Sequence, residues 1–345
     1  MELGWGQVGP SFCTGSGTAV PVGQQPTALY RVGAAMANEF RSLNSHSAEY
    51  FGDTRDYWWN LDFLELMGKR LSLDGVQDVL DVGSGVGHWG QLLANVIPTS
   101  ARVQGVDRDP LWVEKAAARA AAQGLADRFT YRVAFAEKLP FANATFDLVT
   151  CQTVLIHTPD PGAVVDEMVR VARPGGLILA AEPNNLARAL TFDSASFHDP
   201  VDEILARVRL QLICERGKAA LGEGNNSIGD LVPSLFAERD LVNICVYLND
   251  KADILLPPYD SAVGRAALEE RADFKHRDFW IWSREDTRRY FIAGGGRDGE
   301  FEALWLVAIG GIDKIDKAIA DRTYVGTGAG IGYLVAGRKP GPHTA

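Results

Sequence analysis

A glycine-rich turn between two apolar runs constrains this chain more than any other feature. Residues 79–90 read Val-Leu-Asp-Val-Gly-Ser-Gly-Val-Gly-His-Trp-Gly, and residues 103–107 read Val-Gln-Gly-Val-Asp. The first apolar run, over 76–82, is short and ends in glycines, so it predicts a buried parallel strand feeding a tight turn. Gly83, Gly85 and Gly87 lack Cβ atoms, so a ligand can approach the backbone and positive φ is available. A helix is expected over about 88–96. The second strand stops at Asp107, an acceptor well placed for ribose hydroxyls at the carboxyl edge of a sheet.

Two cofactor classes use that geometry, and glycine spacing separates them. A dinucleotide fingerprint, Gly-x-Gly-x-x-Gly, puts its third glycine at position 88, where this chain has His88. The spacing here is Gly-x-Gly-x-Gly, preceded by Asp81 on the strand. It resembles motif I of the class I S-adenosylmethionine-dependent methyltransferases. The resemblance continues in order along the chain. Residues 135–141, Phe-Ala-Glu-Lys-Leu-Pro-Phe, resemble that family's acidic loop; 146–151, Phe-Asp-Leu-Val-Thr-Cys, its fourth strand; and 152–161 the loop after it. Arg-Pro-Gly-Gly at 173–176 resembles the turn before the fifth strand, which is expected over 177–181 and is followed by Glu182 and Pro183.

The resemblance implies a Rossmann-like α/β fold: a seven-stranded sheet with an antiparallel last strand and helices on both faces. It implies S-adenosylmethionine as cofactor and, as the residues that hold it, Tyr57, Asp81, Gly83, Ser84, Gly85, Gly87, Asp107, Arg108, Phe135, Ala136, Glu137, Gln152, Thr153 and His157. One position departs from the family's pattern. Where the family usually has an Asp that accepts from the adenine amino group, this chain has Phe135. Glu137 then supplies the acceptor, or Phe135 packs on the adenine face, or Phe135 points into the core.

Composition narrows the partners. The chain has 345 residues, 46% hydrophobic and 23% charged, as in an ordinary soluble globular protein. Net charge is −10 without a Lys/Arg-rich stripe, which disfavours nucleic acid and anionic membranes. Cys13, Cys151, Cys214 and Cys245 show neither a disulfide framework nor zinc spacing. No apolar run of membrane-spanning length and no signal-peptide pattern occurs, so a cytoplasmic location is expected, with a small-molecule substrate and the oligomeric state open, a homodimer among the possibilities.

Along the chain, residues 1–35 are rich in Gly, Ser, Thr, Pro and Gln and read as a flexible tail, with Met36 a candidate natural start. Residues 36–75 read as N-terminal lid helices, with aromatics Tyr50, Phe51, Tyr57, Trp58 and Trp59. The cofactor core is expected over 76–183, a helix and sixth strand over 228–249, and the last strand within 327–345. Between these lie two insertions, 184–227 and 250–326, that should build a helical cap over the carboxyl edge. In the first, Asp199-Pro200 predicts an N-cap, and Val201, Ile204, Leu205, Val208 and Leu212 recur at helical spacing until Gly217. In the second, Tyr259, Phe274, Phe279, Trp280, Trp282, Tyr290 and Phe291 either line an apolar pocket or form the cap's own core.

Methyl transfer needs the acceptor held in line with the methyl group in a dry site, and needs a base only where the acceptor must lose a proton. His157 is the best-placed imidazole, with a structural or cofactor-side role as its alternative. Glu182 is the second candidate base; His198 and His276, in the cap, follow. His88 is expected near the cofactor or solvent. No carboxylate constellation for a divalent metal stands out. The expected function is methyl transfer to a small, natural-product or metabolite-like acceptor. A non-catalytic adenosylmethionine-binding module and, less favoured by the glycine spacing, a NAD(P)-dependent oxidoreductase are the alternatives.

Overall fold

The structure, a computed structural model, describes residues 52–252, 254–276, 279–328 and 330–341, with the backbone alone for 52–54 and 273–276. The expected tail, the candidate start at Met36, Tyr50 and Phe51, and the side chains of Phe274 and His276 lie outside the described residues. Seven strands form one sheet: β1 (Asp78–Val82), β2 (Arg102–Asp107), β3 (Phe129–Val133), β4 (Phe146–Gln152), β5 (Ala172–Asn184), β6 (Val242–Leu248) and β7 (Ile331–Arg338). Their order is β3-β2-β1-β4-β5-β7-β6. β7 pairs antiparallel with both β5 and β6, and the remaining pairs are parallel. The expected doubly wound sheet with a reversed last strand is therefore present.

Strand periodicity of two divides the interior into two layers. Val79, Leu177, Leu179 and Leu334 face one cluster with Phe63, Leu64 and Met67 of α1 (Leu61–Leu71) and Trp89 and Leu93 of α2 (His88–Leu93). Leu80, Val82, Ile178 and Val335 face the other, with Val164, Val165 and Met168 of α4 (Pro161–Val171) and Phe236 of α6 (Val232–Ala237). Helices α3 (Pro110–Ala122) and α4 both start at an Asp-Pro pair. Asp109 accepts from the Leu111 N–H at 2.9 Å and Asp160 from the Ala163 N–H at 3.0 Å, while proline takes the first helical position, where no N–H is needed.

The cap gathers α5 (Val201–Ala220), α8 (Arg284–Ala293) and α9 (Asp298–Ala320) around Leu210, Cys214, Tyr290, Phe291, Phe301 and Trp305. The chain enters it from the carboxyl ends of β5 and β6, with α7 (Ala262–His276) against the turn Gly52–Tyr57. No described helix is long and apolar enough to cross a membrane.

Four expectations are corrected. Gly217 does not end α5; the helix runs on to Ala220, and a Cβ at Gly217 would lie 1.7 Å from the Tyr290 carbonyl oxygen, so glycine is there to let α8 cross at backbone contact. Asp199 does not cap α5, because Arg207 and Lys314 hold its carboxylate at 2.7 and 2.8 Å. The helix expected ahead of the sixth strand is a 3₁₀ turn, Ile228–Leu231, followed by the short α6, broken where Pro233 lacks an N–H. Val201 and Leu205 are exposed, and the buried face of α5 lies further along the helix and is partly polar. A Gly217→Ala substitution should lower stability by about 1–3 kcal/mol by prising α5 from α8, while S-adenosylhomocysteine affinity stays within about threefold; chemical denaturation and calorimetry on the same sample check both.

Candidate active site

β1, β2, β4 and β5 deliver their carboxyl ends side by side, and the candidate residues collect there. Gly83, Gly85 and Gly87 all take positive φ, at 64°, 52° and 85°. The turn needs glycine for space as well: a Cβ on Gly83 would sit 2.4 Å from a methyl group of Val154, in the turn that follows β4. The glycine turn is tied to β2 by the Gly85 N–H, which donates to the Asp107 carboxylate at 2.9 Å, and the Asp109 N–H occupies its other oxygen at 3.0 Å. Asp107 is buried, so its carboxylate is held in one orientation at the end of β2.

Asp81 lies beneath the turn. Its Oδ2 accepts the Gly90 N–H at 3.1 Å, while Oδ1 is buried with no hydrogen-bond partner. Burial pushes its carboxyl up to about 7, opposed by the Gly90 hydrogen bond and helped by the charge of Asp107. The buried Ser84 hydroxyl likewise has no partner. An unpaired acceptor at the helix mouth, a hydroxyl and a Cβ-free backbone fit S-adenosylmethionine: the acid suits its ammonium, and no ring of helix N–H groups is required because the molecule has no phosphate.

The adenine side is more open. Ala134 N–H donates to the Asp107 carbonyl at 2.9 Å, which brings the turn carrying Phe135, Ala136 and Glu137 beside Asp107. Phe135 is 62% exposed, so the expectation that it points into the core is overturned: the turn reverses at a Phe135–Lys138 bridge and turns its ring outward. Glu137 and Arg108 are exposed, Ala136 packs on the core, and Tyr57 is half-buried at the end of its 3₁₀ turn.

After β4, Gln152 and Thr153 lead into a 3₁₀ turn, Leu155–His157. Thr153 has φ 51°, an uncommon conformation for a β-branched residue, held by its N–H on the Ala181 carbonyl. His157 is exposed at the end of this turn. Glu182 sits behind it, 1% exposed: one oxygen accepts the Val154 and Leu155 N–H groups at 2.8 and 2.9 Å, and the other is buried without a partner. Burial raises its carboxyl to about 7 against those backbone bonds. Its place is in holding the turn rather than at the open cleft. His88 is buried, not solvent-facing; its Nδ1 lies 2.6 Å from Asp56, and burial lowers its pKa. His198 is exposed against Phe197. Trp280, Trp282, Tyr290 and Phe291 belong to the cap's own core.

Sequence reading missed Gln211, Glu215 and Lys218, buried polar residues on one face of α5. Their signal was a spacing of four and three, overlooked because only apolar recurrence was counted.

Comparison with known proteins follows the same outline. The methyltransferase-domain family matches residues 80–180. The chain is 38% identical over 118 residues to methyltransferase GfsG of Streptomyces halstedii, covering 34% of this chain and 42% of that protein. It is 38% identical over 104 residues to the chloroplastic tocopherol O-methyltransferase of Arabidopsis thaliana, covering 30% and 29%. It is 26% identical over 251 residues to the ubiquinone biosynthesis O-methyltransferase of Xanthomonas euvesicatoria pv. vesicatoria (strain 85-10), covering 68% and 94%. The match thus spans under half the length of the first of these relatives and under a third of the second.

An ammonium placed against Asp81 would need the carboxylate charged, so S-adenosylhomocysteine affinity should then rise with pH, up to about tenfold per unit below 7, and level off above it. In Asp81→Asn that slope should vanish. Calorimetry between pH 5.5 and 8.5 checks it; an equal slope in both proteins would remove Asp81 from the cofactor site.

Proposed function

We propose, from the premise that residues 80–180 are a class I S-adenosylmethionine-dependent methyltransferase domain, that this chain transfers a methyl group to a small molecule held beneath its helical cap. The observation that carries the reading is the pair of buried carboxylates, Asp81 and Asp107, at the ends of adjacent strands around one glycine turn. Two relatives bear the names of O-methyltransferases of ubiquinone biosynthesis and of tocopherol, which supports a small organic acceptor and favours a hydroxyl as its reacting group.

S-adenosylmethionine supplies an electrophilic methyl group on a sulfonium when bound. Asp81 and Ser84 receive its amino-acid end, Asp107 its ribose, and Phe135 to Glu137 its adenine, with Phe135 offering a ring face in place of the family's acid. Gln152 and Thr153 flank the reacting end. His157, on the turn after β4, takes the proton that a hydroxyl acceptor gives up; its exposure leaves it open to an acceptor entering under the cap. The cap and the turn Gly52–Tyr57 exclude water from the reaction.

Asp107→Ala should weaken S-adenosylhomocysteine binding by about 2–4 kcal/mol, since bonds to a charged acceptor are lost and the Gly85 N–H is freed as well. Calorimetry showing unchanged affinity would remove Asp107 from the site, and a wild-type chain that binds NADH but not S-adenosylhomocysteine would overturn the reading. Label transfer from methyl-labelled cofactor into metabolite pools identifies the acceptor. On a hydroxyl acceptor, His157→Gln should cut kcat by about 10²–10⁴-fold with cofactor affinity intact; unaltered kcat would exclude His157 as the base.

A further inference from the structure

The cap reaches the turn after β4 through one buried cation. Lys218, on α5, is 4% exposed, and its Nζ donates to the Ile156 carbonyl at 2.7 Å. Ile156 lies in the 3₁₀ turn Leu155–His157, whose opposite end gives its Val154 and Leu155 N–H groups to Glu182. The turn is therefore held twice, by a carboxylate at its amide end and an ammonium at its carbonyl end, each matching the local dipole. Glu182 belongs to the sheet and Lys218 to the cap.

A second contact joins the same two parts. Just beyond α5, a Cβ on Gly224, at φ 93°, would fall 2.2 Å from the Ile156 carbonyl oxygen. The segment after the helix thus lies against the carbonyl that Lys218 holds. Around the ammonium stand Glu223, Glu215 and Glu182, while burial draws its pKa down to about 8. An ammonium buried in this way costs desolvation that an apolar side chain of similar length would avoid. Gln211, on the same face of α5, donates to the Asn185 carbonyl at 3.0 Å and to Glu215 at 2.9 Å, and neither bond reaches the turn.

We infer that Lys218 is a positioning residue for methyl transfer, holding the His157 turn from the cap side so that the placement of the cap sets the placement of that turn. The inference rests on the methyltransferase reading, which gives the turn a reaction to serve. Its test is independent of cofactor and acceptor.

Hydrogen exchange and the ¹³C-labelled histidine spectrum are recorded on the full chain without ligand, for wild type, Lys218→Met and Gln211→Leu. In Lys218→Met, amides 154–158 should exchange at least about tenfold faster, while amides of β1 are unchanged and the His157 ring resonance moves. Gln211→Leu should leave both turn signals as in wild type, and Lys218→Arg, which keeps a cationic donor, should return them most of the way. Lys218→Gln, neutral and shorter, is read on the same scale and decides the matter where the methionine variant does not fold. Turn exchange and a His157 resonance unchanged by loss of the ammonium would overturn the inference, as would an equal disturbance in Gln211→Leu. Failure of the wild-type chain to bind S-adenosylhomocysteine would instead overturn the methyltransferase reading, and the two failures are read from different measurements.

Discussion

The bond from the Gly85 N–H to the Asp107 carboxylate joins the two strand ends on which everything else at the carboxyl edge depends. It fixes the glycine turn over β1 against the end of β2, and with the Asp109 N–H on the other oxygen it sets the orientation of the carboxylate. The close approach also explains the glycines. A side chain at Gly83 would strike Val154, and one at Gly90 would strike Asp81, so turn, helix and acid fit only without Cβ atoms. The geometry is made of backbone, and backbone is what a phosphate-free cofactor can lie against.

Around this frame the edge holds more buried charge than stability alone favours. Asp81 and Glu182 each keep an oxygen without a partner, and both carboxyls are raised toward neutrality by burial. Lys218 is drawn the other way. Unpartnered buried polar atoms cost about 1–3 kcal/mol each, so their concentration at one end of the sheet, with the strained Thr153 among them, marks that end as the place where stability yields to binding. The opposite end of the sheet closes with half-buried, fully paired ions, such as Arg173 with Asp78 and Asp147.

The cap follows a different logic. Its aromatics pack on one another, Trp282 edge-on to Tyr290 and Phe301 stacked on Trp305, so they stabilise the cap. At its base the cap makes polar contacts, Gln211 to Asn185 just past β5 and Lys218 to Ile156 in the turn after β4. An apolar cap core with a polar underside lets the cap hold its own shape while its seating on the core stays specific in direction.

The core was legible in the sequence because its determinants are local. Glycine spacing, an acid two residues before the first glycine, and strands buried on both faces all show within a few residues. β1, β2 and β4 stand where those patterns put them, while β5 begins at Ala172 and takes in the Arg-Pro-Gly-Gly expected as a turn. The glycine at 217 carried the same local mark as a helix end, yet it serves a helix crossing from Tyr290, more than seventy residues on. Phe135 read equally well as core or surface, and nothing in the local pattern singled out Lys218. Their roles depend on which distant chain lies within a few ångströms, and periodicity in one segment carries no information about its neighbours in space. The sequence by itself determined the fold class and the glycine turn at the carboxyl edge, because close backbone approach demands particular residues in a fixed local order. Only the tertiary structure decided how the cap is seated and which charges are buried beneath it, because desolvation and partner geometry arise when segments far apart in the chain are packed together.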